Sequence, residues 1–82
     1  MTDLKTTEER VHRILVDKIG ILPSQITPDA NMVKDLGVDS LDYAELVLEF
    51  EQSFDIKIPD QDAESLITIQ DAVNYINTKL NA

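Results

Sequence analysis

The sequence predicts an all-α fold: a small acidic helical bundle of three main helices plus one short helix. Three observations carry that expectation. Apolar residues recur at helical spacing in three segments. No segment alternates as a strand does. Proline, glycine and cap-forming residues fall between the periodic stretches. With 82 residues, the chain has room for one domain spanning 1–82 and only a modest core.

The first helix is expected from about Thr7 to Ile19, with Thr6 and Glu9 as a capping box and Gly20 as its stop. Val11, Ile14, Leu15 and Ile19 give its apolar stripe. A long connection follows, where Pro23 and Pro28 oppose helix and Ile26, Met32, Val33 and Leu36 are candidates to pin it to the core. A connection this long in a small domain points to function. The second helix is expected over about Ser40–Phe54, capped by Asp39 or Ser40, with Asp42 favourable in its first turn. A short helix over about Asp60–Ser65 begins after Pro59. The last runs from about Ile69 to Leu80, with Thr68 and Asp71 at its start.

Charge excludes one large class of function. The formal net charge is −9. Residues 1–20 are neutral, whereas residues 35–64 hold ten acids against the single base Lys57. Nucleic-acid backbones require basic patches, so no nucleic-acid partner is expected. The acids serve either solubility or the steering of basic partners. Cysteine is absent, which removes disulfides and thiolate metal sites. Lone His12 offers no triad logic. Gly20 and Gly37 are too few for a phosphate-cradling loop. Asp60, Asp62 and Glu64 lack the glycine and spacing of an EF-hand, so no metal site is assigned. Loose attraction of divalent cations to the acidic face remains open. No apolar run has the length of a membrane span, and no signal peptide is evident, so a cytoplasmic protein without membrane insertion is expected.

On a helical wheel, Tyr43, Leu46, Val47, Phe50 and Phe54 form the core-facing stripe of the second helix. Leu41 and Leu48 fall on the far side, among Asp42, Glu45, Glu49 and Glu51. These leucines either cover a neighbouring loop or serve as apolar knobs of a docking surface. Just ahead, Asp35-Leu36-Gly37-Val38-Asp39-Ser40-Leu41-Asp42 places a serine where the long connection meets a helix N-terminus. A phosphate ester on that hydroxyl would lie near unpaired N–H groups. On local chemistry alone a plain helix cap is the better explanation of the serine, because N-cap serines are very common.

Leu36-Gly37 followed by Asp39-Ser40-Leu41 resembles the phosphopantetheine attachment motif of acyl carrier proteins. Glu45-Leu46-Val47 through Phe54, Ile58-Pro59-Asp60, Ala63-Glu64 and Thr68 through Ile76 extend the resemblance, as do Glu9-Arg10-Val11 and Thr27 through Val33. It covers about residues 8–77 and is closest to the carrier of dissociated (type II) fatty acid synthesis. The resemblance implies a non-catalytic monomer with 4′-phosphopantetheine, derived from coenzyme A, on Ser40. It also implies a phosphopantetheinyl transferase as partner. Acyl-transfer, ketosynthase, reductase and dehydratase enzymes would dock through basic patches. By resemblance, Asp39, Leu41, Asp42, Glu45, Leu48 and Glu51 meet those partners. Leu46, Val47, Phe50, Ile58, Ala63, Leu66 and Ile76 are the implied acyl pocket, though each also suits an ordinary core. Gln52 and Ser53 stand where many relatives carry acids. Carriers of polyketide, aryl polyene or other specialised pathways share the pattern. A non-covalent acidic interaction module and a small metal-buffering protein are the readings from other classes.

Overall fold

The computed structural model of the chain describes residues 3–81. Its elements are α1 (Leu4–Ile19), a single 3-10 turn (Pro23–Gln25), α2 (Ser40–Phe54), α3 (Asp60–Ala63) and α4 (Ile69–Leu80). Three main helices and one short one are therefore present, with no strand among the described residues. α1 packs against both α2 and α4. The shared core includes Val11 and Leu15 of α1, Leu46 and Phe50 of α2, and Ile69, Val73 and Ile76 of α4.

α1 starts almost a turn earlier than its sequence signals suggest. Asp3 is its N-cap and accepts from the Lys5 N–H at 3.4 Å. Thr6 and Glu9 therefore lie inside the helix and form no capping box. The reason is next door. Thr7 is fully buried, and its hydroxyl donates to Asn77 Oδ1 of α4 at 2.9 Å. That contact draws the first turn of α1 into the bundle. The end of α1 is as expected, with Gly20 in the left-handed region (φ 76°) where a side chain would be strained. Arg10 of α1 lies 4.2 Å from the Phe54 ring centroid and donates to the Ser53 carbonyl. A cation thus meets the negative end of α2.

The long connection is ordered by backbone bonds to the α3–α4 link. Met32 N–H donates to the Ile67 carbonyl, Ile69 N–H to Ala30, and Gln70 N–H to Pro28. Asn31 and Thr68 form an isolated antiparallel bridge. Of the expected pins, Met32 is buried and Ile26 and Leu36 are partly so, packed against the core. Val33 is not a pin: it is 59 % exposed. Asn31 Oδ1 accepts from the N–H groups of Val33 and Lys34, and the resulting turn swings Val33 outward. Ile21, Ala30 and Val38 take up the anchoring instead.

α3 is shorter than expected and ends at Ala63, with Glu64 and Ser65 in a turn. α4 has the expected bounds. Thr68 and Asp71 form the reciprocal capping box: Thr68 Oγ1 accepts from Asp71 N–H at 3.1 Å, and Asp71 Oδ2 from Thr68 N–H at 3.1 Å.

The Thr7–Asn77 bond ties α1 to α4 inside the protein. Thr7→Val keeps the shape and leaves Asn77 Oδ1 without its donor, so it is expected to lower the free energy of unfolding by about 1–2 kcal/mol. Urea unfolding followed by circular dichroism measures this, and no change would mean that water replaces the donor.

Candidate functional site

Four residues position Ser40. Gly37 has a positive φ of 72° and turns the chain. Val38 is buried, and its N–H donates to the Met32 carbonyl at 3.0 Å. Asp39 adopts extended backbone, and its Oδ1 accepts from Asp42 N–H at 2.8 Å. Asp42 completes that cap from the first turn. Of the two candidates for the cap, the structure uses Asp39. Ser40 is therefore the first residue of α2, exposed, with no hydrogen bond to its hydroxyl among the described residues. The capping explanation of Ser40 does not hold.

The N–H groups of Ser40 and Leu41 likewise have no partner among the described residues, whereas those of Asp42 and Tyr43 are taken by Asp39. A free hydroxyl beside two unpaired N–H groups at the positive end of a helix fits a phosphodiester. The neighbouring Asp39 and Asp42 carboxylates oppose it, and the unpaired donors offset them.

Two recesses open beside this point. The larger, of about 440 Å³, has one wall made by Ser40, Tyr43, Ala44, Val47, Leu48 and Glu51 of α2. Those positions follow the helical repeat, so the groove tracks one face of α2 for roughly 16 Å. Ile58, Asp60, Ala63 and Glu64 form the other wall. The smaller recess, of about 240 Å³, is lined by Asn31, Val33, Lys34, Tyr43, Ala63, Glu64, Leu66 and Ile67. Of the residues expected in an acyl pocket, Val47, Ile58 and Ala63 line the first recess and Leu66 the second. Leu46, Phe50 and Ile76 are buried in the core and line neither. Tyr43, Ala44 and Leu48 are groove residues that sequence reasoning did not assign. Counting i+3, i+4, i+7 and i+8 from Ser40 would have found them.

Leu41 and Leu48 are 69 % and 53 % exposed, so neither covers a loop. Glu45 is exposed beside them, and Asp42 is partly so. Glu51 has structural work: its Oε2 accepts from Ile58 N–H at 2.9 Å and closes the α2–α3 link. Glu49 faces α1, where it lies 3.6 Å from Lys18 Nζ and accepts from Ser53 Oγ. The acids around α2 thus divide between those bonded into the fold and those left outward.

Two tyrosines hold the α3 region. The Tyr43 hydroxyl donates to the carbonyls of Ala63 and Leu66. Tyr75 of α4 donates to Asp62 Oδ2 at 2.6 Å. Desolvation and then the Asp71 charge raise the Tyr43 pKa. Desolvation, the Asp62 hydrogen bond and the nearby charges of Asp62 and Glu51 push Tyr75 up to about 12. Both phenols are thus held as neutral donors. No cluster of three or more metal-ligating side chains occurs among the described residues, and no helix there is long and apolar enough to cross a membrane.

A free serine at a helix start, on a small acidic bundle, is the geometry of a protein that offers a hydroxyl for covalent attachment. The family model for the phosphopantetheine attachment site matches residues 9–76, and the chain belongs to that family. Domains of this kind carry covalently attached 4′-phosphopantetheine and interact with a transferase and with biosynthetic enzymes.

Two outcomes follow from this geometry. Asp39→Ala removes the α2 cap and is expected to cost about 1 kcal/mol in denaturant unfolding. The raised Tyr75 pKa favours the protonated phenol in the folded state, so its contribution is full below the unfolded value near 10 and is lost as pH rises toward about 12. Over that window the wild type is expected to lose more stability than Tyr75→Phe in parallel melts. Equal losses would count against the Asp62 contact.

Proposed function

We propose that the Ser40 oxygen is the attachment point and that the protein is a cytoplasmic, monomeric carrier of acyl thioesters in fatty acid biosynthesis. The observation that carries this reading is the exposed Ser40 hydroxyl, free because Asp39 does the capping. In the loading step Ser40 Oγ attacks the pyrophosphate phosphorus nearest the pantetheine of coenzyme A. The new O–P bond forms as the bridging P–O bond breaks. Adenosine 3′,5′-bisphosphate leaves, and the serine proton passes to a base on the transferase. Once bound, the group supplies a thiol that holds acyl chains as thioesters. This chain's own residues position the attachment point, offer the groove and present the docking face.

The groove supports a saturated acyl cargo. Val47, Leu48, Ile58 and Ala63 line it, and each methylene sheltered there gains about 0.8 kcal/mol. A specialised pathway remains the second reading, because Gln52 and Ser53 shorten the acidic run on α2.

Leu41 and Leu48 are the apolar knobs of the docking face, and Glu45 and Asp42 steer basic partners. Asp39 and Glu51 belong to the same face, but each also bonds the fold, so substituting them mixes two effects. Leu41 and Glu45 are the clean probes, and Leu48 is one only while no acyl chain is bound, because it also lines the groove.

Incubation with coenzyme A and a transferase is expected to add one phosphopantetheine to the intact mass, and Ser40→Ala to abolish the gain. A modified alanine variant would refute the site. Glu45→Lys and Leu48→Ala are expected to slow loading several-fold while leaving Tm nearly unchanged. The wild-type rate is expected to fall with added salt.

A further inference from the structure

The two recesses beside Ser40 share three residues: Tyr43, Ala63 and Glu64. Ala63 is small, and Glu64 is exposed. Tyr43 is therefore the one large, partly buried side chain between them. It stands one helical turn after Ser40, so it is the first ring that a chain tethered at Ser40 meets. Its hydroxyl is tied to the Ala63 and Leu66 carbonyls, and no other donor reaches the Leu66 oxygen among the described residues. Swinging the ring aside would leave that carbonyl without a partner.

Beyond the ring lies space that an alkyl chain would favour. The smaller recess carries Leu66 on its inner side, with Val33 and Ile67 at its rim, 59 % and 52 % exposed. Both exposures follow from the fold. Asn31 turns Val33 outward, and the Met32–Ile67 backbone bond brings the two side chains' segments together.

We propose that Tyr43 is a partition that sets the longest acyl chain the groove beside Ser40 shelters, by closing it off from the recess under Val33 and Ile67. The inference rests on the reading of Ser40 as the attachment point. Tyr43 is a specificity-determining residue in this scheme: the anchored ring shelters shorter chains and turns the distal end of longer ones back to solvent.

The test uses the full chain loaded on Ser40 by a transferase from a series of saturated acyl-coenzyme A donors, butyryl to tetradecanoyl. Tm is measured for each form of the wild type, Tyr43→Phe and Tyr43→Ala. In the wild type Tm is expected to rise with each added methylene and then level off. In Tyr43→Phe, which loses only the anchor, the levelling point moves to longer chains. In Tyr43→Ala it moves further. A merely structural tyrosine would lower every Tm in the series and leave the levelling point in place. Should the alanine variant fail to fold, the phenylalanine variant decides the matter. Nuclear Overhauser contacts from a long chain's terminal methyl to the Val33 and Ile67 methyls are expected in that variant and not in the wild type. An unmoved levelling point in a folded variant overturns the partition and leaves the attachment site standing. A flat wild-type series overturns the partition and the groove together. Failure of the wild type to gain mass removes the attachment site and the partition with it.

Discussion

The single hydrogen bond from the Asp42 N–H to Asp39 Oδ1 organises the functional end of this protein. Helix starts leave N–H groups exposed, and the residue that satisfies them fixes the direction of the chain. Because aspartate does this here, the following serine has nothing to do inside the fold. Val38, buried one residue earlier, keeps the cap from fraying. The Ser40 oxygen is thus held by its neighbours while remaining unbonded itself. That combination suits a residue that must be presented to another enzyme.

The other half of the architecture is the way the long connection is knitted to the α3–α4 link. Bonds at Pro28, Ala30, Met32 and Ile67 make a small backbone framework without strands. It carries α3, a helix too short to persist alone. Tyr43, Tyr75 and Glu51 reach α3 or its flanks from two different helices. The groove wall opposite α2 is therefore fastened both by these side-chain bonds and by Ile58, Ala63 and Leu66, which reach into the core. Such walls open at low cost where few contacts must be broken.

Much of this was legible in the sequence. Local signals were sufficient for α4, whose cap pair Thr68 and Asp71 lie three residues apart, and for α2, whose stripe and outward leucines follow from a wheel. The start of α1 was not legible, because Asp3 and Thr6 are both acceptable caps. The choice is made by Thr7 bonding to Asn77, seventy residues away. Val33 and Val38 are equally apolar, and only the Asn31 turn decides which one is buried. The turn and cap around Ser40 could be read because Gly37, Asp39 and Asp42 act locally. Of the residues expected at an acyl pocket, Val47, Ile58 and Ala63 line the groove, while Leu46, Phe50 and Ile76 fill the core. Inward-facing residues look alike in a sequence whether they meet a neighbour or an empty space. Tyr43 belonged to the expected core stripe, but its hydroxyl partners sit twenty or more residues downstream.

Arg10 and Lys18 of α1 lie against the rear edge of α2, at Ser53 and Glu49. Their positive charge is spent on that inner side, while Asp42 and Glu45 look outward. The molecule is consequently electrically lopsided. A positively charged surface would exert a torque on such a molecule and turn the outward acids of α2 toward it before any side chains touch. The orientation comes from the protein alone and is indifferent to what hangs from the tether. Domains of this family meet a transferase and biosynthetic enzymes in turn, and a fixed charge asymmetry would present the same side to each of them.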